Sequence, residues 1–231
     1  MTMYLLSSAY LAPIHYYTKL IGDRPVVEER CEHYVKQTYR NRCLIATPDG
    51  ILPLTIPVEG RPKSEGGTSK TPMRDIRISQ HGRWRDLHWN ALVSAYENSP
   101  FFQYYADDFW EIYRRPHAFL VDFNEALQHL VLDLLNYRPS LSVNLDGYID
   151  ARALGDSVAD FRETIHPKRS FAFDPSFRII PYYQVFAART GFLPNLSVVD
   201  LLFNMGSESR IVLRQSLVAS VSSSAPAVVE R

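Results

Sequence analysis

Residues 3–10, MYLLSSAY, form an apolar run that stops shortly before Pro13, and the segment after that proline, IHYYTKL, runs to Gly22. The run reads as a buried strand. Pro13 stands where a first helical turn accepts a residue with no N–H, and Gly22 stands where a helix ends, so the opening reads strand, turn, helix. A strand that feeds directly into a helix packs against it, which selects a mixed α/β architecture. Residues 25–29 (PVVEE) read as a second strand, and Cys43 to Val58 as two strands joined by a Pro-Asp-Gly turn.

A short strand is expected over Ile76–Ser79, and the chain then turns helical over 84–97, 108–114 and 123–136. In the last of these, Asp122 and Glu125 have capping-box spacing, and Phe123, Leu127, Leu130, Val131, Leu134 and Leu135 fall on one stripe. That pattern describes a core helix. Further on, Pro181 opens a helix, YYQVFAAR, that Gly191 ends; Ser197 has Asp200 three residues on, and Gly206 follows. The expected fold is therefore a small sheet from the N-terminal third packed by helices from the rest.

Residues 61–74 (RPKSEGGTSKTPMR) hold too little apolar surface to order themselves and are expected to form a mobile loop, as the tail SSSAPAVVER is expected to be disordered. The chain is read as one domain over 1–216 followed by a disordered tail over 217–231. Apolar residues make up 46% of it and aromatics 13%, enough for a sizeable core.

Lys plus Arg equals Asp plus Glu at 25 each, so no net field steers the molecule onto a polyanion, and nucleic acid is set aside as a partner. The two cysteines, Cys31 and Cys43, have no companions at metal-ligand spacing and suit reduced thiols. The opening residues lack a basic n-region and no stretch matches a membrane span, so a soluble cytoplasmic protein is expected.

Charge is informative only locally. Arg30, Lys36, Arg40 and Arg42 face the lone acid Glu32 within one short segment. If the chain is extended there, Arg40 and Arg42 share a face, with Asn41 on the other, and two guanidinium forks suit a phosphate or carboxylate. A solvated strand end is the alternative. The turn after the first strand, with Ser7, Ser8, Tyr10 and His15, is a second place for an anion, since ligands of open α/β sheets sit beyond the carboxyl ends of strands.

The helix WRDLHWNALVSAYE places Trp84 and His88 on one face and Trp89 and Tyr96 on an adjoining one, offering a general base beside an aromatic platform, or else a core histidine. Asp107 and Asp108 could share a proton or a metal, although Asp108 and Glu111 have a capping spacing. His166-Pro-Lys168 marks a loop. No Ser-His-Asp spacing, zinc pattern or P-loop occurs, and no cofactor is named by the residues.

The blocks AYLAPIHYYTKL, HYVKQTYRNRCLI with DGILPLTIPV, WRDLHWNALVSAYENSPFFQYYADDF, YYQVF, GFLPNLSVVDLLFN and MGSE, taken in this order, resemble the WbqC-like family of bacterial proteins. The similarity runs from about Tyr4 to Glu208. Many relatives carry a Gln-Pro pair and a Trp-Gly-Tyr segment where this chain has Ser8-Ala9-Tyr10 and His15-Tyr16-Tyr17.

The resemblance implies a place near the nucleotide- or lipid-linked sugars of surface polysaccharide assembly. It raises Lys36, Arg40, Asn41 and Arg42 to site residues, together with His88, Trp89, Tyr104 and Asp107, and also Asn195, Asp200 and Asn204. Together these readings give a small-group (acyl or aminoacyl) transferase acting on a phosphate-bearing sugar. Lys36, Arg40 and Arg42 would hold phosphate, Trp89 would stack on a ring and His88 would take the acceptor's proton. The alternative is a non-catalytic protein that binds a sugar phosphate or a partner.

Overall fold

In the computed structural model, which describes residues 2–60 and 70–218, the chain opens with β1 (Met3–Ser7), α1 (Ile14–Leu20) and β2 (Val26–Glu29). A hairpin of β3 (Arg42–Thr47) and β4 (Gly50–Thr55) follows, then three helices, α2 (Trp84–Tyr96), α3 (Phe102–Arg114) and α4 (Leu120–Leu134). The remaining elements are β5 (Leu141–Asn144), α5 (Ala151–Leu154), β6 (Val158–Asp160), α6 (Ala187–Thr190), α7 (Val198–Met205) and α8 (Ser209–Ser216).

The main sheet has four parallel strands in the order β5-β2-β1-β6, and the hairpin forms a separate two-stranded sheet. The mixed α/β class read from the sequence holds. Two of the four parallel strands nevertheless come from residues 141–160, where LSVN and VAD are too short and too polar to announce themselves. Parallel strands need both faces covered, and β1 accordingly buries Tyr4, Leu5, Leu6 and Ser7 together.

Helix α1 is buried on every side, His15 and Lys19 included. Its flanking Pro13 supplies no side-chain cap, and the first turn is capped from a distance: Asn195 Oδ1 accepts the His15 N–H at 2.9 Å and the Leu196 carbonyl accepts that of Ile14 at 3.0 Å. Asn195 adopts φ +54°, a region asparagine tolerates better than most residues.

Helix α4 buries Phe123, Leu127 and Val131 from the expected stripe, but it starts at Leu120, and no capping box forms. The Leu120 N–H donates to the Ile76 carbonyl at 2.8 Å, and Glu125 pairs with Arg30 at 3.2 Å instead of turning back on the helix. Helix α3 likewise begins six residues before the expected position. Asp108 therefore lies mid-helix, and Glu111 pairs with Arg114 and Arg115. Ile76–Ser79 forms isolated bridges at Arg77 and Ile78, not a strand.

The expected helix after Pro181 shrinks to α6, because Gln184 and Val185 are drawn into side-chain bonds with Asp200 and Asn204. Of the expected loop, residues 61–69 lie outside the described residues. Residues 70–74 are ordered: Thr71 O, the Met73 N–H and the Arg74 N–H pair with the backbone of Tyr34, Glu32 and Arg30, and Met73 is fully buried. Leu217 and Val218, assigned to the tail, are held against Phe177 and Ser176, and residues 219–231 lie outside the described residues.

Gly206 ends α7 with φ +55°, and a Cβ added there would lie 2.5 Å from the Phe101 ring. Both the backbone and the space demand glycine. Gly206→Ala should therefore destabilise the fold by about 2 kcal/mol or more, seen as a lower urea midpoint at unchanged m-value. Adding Phe101→Ala should cost less than the sum of the two single changes.

Candidate functional site

Beyond the carboxyl ends of the parallel strands lies a cleft with open volumes of about 400 and 410 Å³ on its two sides, within the range of small-molecule sites. Strand order runs outward from β1 to β2 and β5 on one side and to β6 on the other, the arrangement at which open α/β sheets bind ligands. Each strand end contributes: β1 leads to Ser7, β2 to Glu32, β5 to Tyr148, and β6 to Arg162 and Glu163.

Two buried guanidiniums form the inner wall. Arg40 makes a two-point contact with Glu32, its Nε donating to Oε1 at 2.9 Å and its Nη2 to Oε2 at 2.7 Å. Arg162 clasps Asp160 in the same way at 2.9 and 2.7 Å. Glu163 stands at the rim, 3.6 Å from Arg40 and 3.7 Å from Arg169, too far for a hydrogen bond with either, so its lone pairs remain open.

Glu29, at the end of β2, carries no exposed surface and organises the opposite wall. Its carboxylate accepts from the N–H groups of Cys31 and Ile149 and from the Asn144 amide, at 2.6 to 3.0 Å. This fixes the loop that carries Tyr148, a residue 61% exposed whose ring centre lies 4.9 Å from the Arg162 guanidinium.

A recess of about 10 Å³, room for one water, shares Arg40 and Arg162 with the cleft and reaches Ser7 and Tyr16. Two buried polar atoms of residues lining this recess have no hydrogen-bond partner among the described residues: Ser7 Oγ and Arg162 Nη1. Arg162 Nη1 stands 4.0 Å from Glu29 Oε2, beyond bonding reach. A buried donor left unmade costs about 1–3 kcal/mol, and this recess is where two such atoms belong to residues lining one hollow beside the cleft.

The structure separates the residues that the sequence grouped. Arg40 lines the cleft, but its fork is already occupied by Glu32. Arg42 is half-buried and its Nε donates to Thr55 Oγ1 across the hairpin at 3.1 Å, Asn41 is buried with its amide on the Ile56 carbonyl at 2.8 Å, and Lys36 is exposed. Asp107 and Tyr104 are exposed on α3. Trp89 packs on Trp110, Phe102 and Tyr113.

Asn195, Asp200 and Asn204 bind segment 182–196 and the α1 terminus. Asp200 accepts from Tyr96, Tyr182 and Gln184 at 2.6 to 3.0 Å, so it is not the cap partner of Ser197. None of these residues except Arg40 lines the cleft. The expected convergence of Arg40, Arg42 and His88 on one hollow does not occur. Ser7, in the turn after β1 that the sequence singled out, lines the recess; Arg162, Glu163 and Tyr148 could not be picked out from the sequence, because they follow strands too short to read. Cys31 lines the cleft, but burial raises its thiol pKa, which keeps it protonated. Among the described residues no group of three or more His, Cys, Asp or Glu could hold a metal ion, and no helix is long and apolar enough to cross a membrane.

His88 is 6% exposed, with Nδ1 3.0 Å from the Tyr10 hydroxyl, which in turn meets that of Tyr113. Burial lowers its pKa to about 4, against a weaker opposing pull from the Thr55 backbone. The unfolded chain takes up this proton near pH 6.5 and the folded chain only near 4, so the contribution of His88 to stability is present above that window and is lost as pH falls through it. Urea titrations at pH 7 and pH 4 should show the wild type losing up to about 3 kcal/mol more than His88→Asn. Equal losses would assign the acid sensitivity to other groups.

Comparison with known proteins follows the same outline. The family model described as the WbqC-like protein family matches residues 8–171, a span that holds the cleft residues from Cys31 to Glu163 and begins one residue after Ser7. The uncharacterized protein Rv1507c of Mycobacterium tuberculosis is 26% identical over 201 residues, covering 78% of this chain and 84% of that protein. No solved structure matches the chain. With more than half of its length matched by that family model, the chain belongs to the WbqC-like protein family.

Proposed function

We propose that this protein binds a phosphate-bearing sugar in the cleft beyond β1, β2 and β6 and transfers a small acyl or aminoacyl group to it. The observation that carries the reading is the pair of buried, unpartnered atoms at the inner recess, Ser7 Oγ and Arg162 Nη1. An anionic oxygen seated between them would satisfy both, and hydrogen bonds to a charged group contribute about 1.5–3 kcal/mol each. The exposed face of Tyr148 offers an apolar surface to a sugar ring.

In the transfer step, the acceptor's lone pair forms a bond to the acyl carbon of an activated donor, such as a thioester. The donor's leaving group departs with the electron pair of the broken bond, and the acceptor's proton passes to a cleft carboxylate and on to the leaving group. Glu163, half-exposed at the rim with open lone pairs, takes that place. His88, buried and neutral, does not. The setting in surface polysaccharide assembly comes from the family association alone.

Ser7→Ala separates binding from folding, because the hydroxyl it removes makes no bond in the free protein. The variant should match the wild type in stability or exceed it by up to about 1 kcal/mol. It should bind sugar phosphates about tenfold more weakly by calorimetry. A panel of sugar phosphates and nucleotide sugars that leaves the melting temperature of the wild type unchanged at millimolar concentration would overturn the reading.

A further inference from the structure

From the charge pattern of the cleft we infer that the sugar this protein takes carries a free, protonated amine, so that the ligand is dipolar. The inference rests on the reading above and adds the acceptor's chemical class. Four carboxylates line the cleft, Glu32, Asp150, Asp160 and Glu163, against three guanidiniums, those of Arg40, Arg152 and Arg162. A purely anionic or neutral sugar would leave the open acceptor capacity of Glu163 and Asp150 unused, although Glu163 is in ionic reach of Arg40 and Arg169.

The pairing decides which acids remain available. Glu32 is consumed by both arms of Arg40, and Asp160 by Nε and Nη2 of Arg162. Asp150 gives one oxygen to the Arg152 N–H at the start of α5 and keeps the rest of its acceptor capacity. Among the described residues Glu163 has no partner within hydrogen-bond distance, Arg40 and Arg169 standing at 3.6 and 3.7 Å. The free acceptors thus sit at the rim.

The free donors sit at the opposite end. Arg162, 5% exposed, and Ser7, 9% exposed, line the recess, and Nη1 of the one and Oγ of the other are unbonded among the described residues. A cleft with unfilled donors at its floor and unfilled carboxylates at its mouth is complementary to a molecule with an anion at one end and an ammonium at the other. An aminosugar phosphate has that form. The same amine, once one proton has left through Glu163 to solvent, is the nucleophile that an acyl transfer requires, and the second proton passes by the same carboxylate to the leaving group, so recognition and reaction use one group.

Calorimetric titration of the full chain with glucosamine 6-phosphate, N-acetylglucosamine 6-phosphate and glucose 6-phosphate tests this at fixed ionic strength. The amine-bearing ligand should bind about tenfold more tightly than either of the others, the effect of one charge-assisted contact. Glu163→Gln, at an exposed position where folding is not at risk, should bring that ratio close to one. Equal affinities of the wild type for all three would overturn the amine assignment and leave the sugar-phosphate reading standing. Binding of none of the three would remove both.

Discussion

Strand β1 is hydrogen-bonded along both edges, to β2 on one side and β6 on the other, and everything else is placed by that fact. Its continuation does not leave the core. Tyr10 donates its N–H to the Tyr39 carbonyl, the Ala12 carbonyl accepts from Val198, and the Leu11 carbonyl accepts from the Ser197 hydroxyl. The sheet, the hairpin approach and α7 are thus all tied to one stretch of a dozen residues. Because the strands run parallel, their carboxyl ends lie together, and the polar residues that follow each apolar strand are gathered at one end of the sheet.

The charges gathered there are not explained by stability. A buried ion pair loses about as much in desolvation as it gains in attraction, and apolar replacements are often as good. Arg40–Glu32 and Arg162–Asp160 instead hold their partners in one geometry, each by a two-point contact that an apolar pair could not reproduce. A second buried cluster, remote from the cleft, uses the same chemistry for a structural end. Asp174 meets Lys19 at 2.5 Å and His15 at 2.6 Å, and these bonds with Ser176 hold its carboxyl below the usual range although burial pushes it up. That cluster locks the 174–177 turn onto α1 with every atom satisfied. The cleft differs because two of its polar atoms are not.

Helix α4 links the two halves of this logic. Its apolar stripe joins the core, while Asn124 reaches Ser8 and the Arg40 carbonyl and Gln128 reaches Tyr16. Two buried amides on an otherwise apolar face are costly unless bonded, and their NH2 groups find Ser8, the Arg40 carbonyl and Tyr16 as partners. The helix therefore stabilises the floor of the site and its approach to β1 at once.

The sequence alone determined whatever depends on neighbours along the chain. The strand–Pro13–helix opening, the Pro-Asp-Gly hairpin, the extent of α2 and the Ser197 cap and Gly206 stop of α7 were all legible, because periodicity and turn chemistry act over a few residues. Family membership was legible too, in ordered blocks of residues. Tertiary structure decided which polar residues meet. His88 and Arg42 read as a site from local spacing, yet packing buried the one against Tyr10 and turned the other along the hairpin. Arg162 and Glu163 follow a strand of three residues that no local pattern marks, and Arg162 shares a recess with Ser7 only because parallel pairing sets β6 beside β1. Contacts between residues some 150 positions apart depend on the pairing of strands, and that pairing is settled by the whole core and not by any one segment.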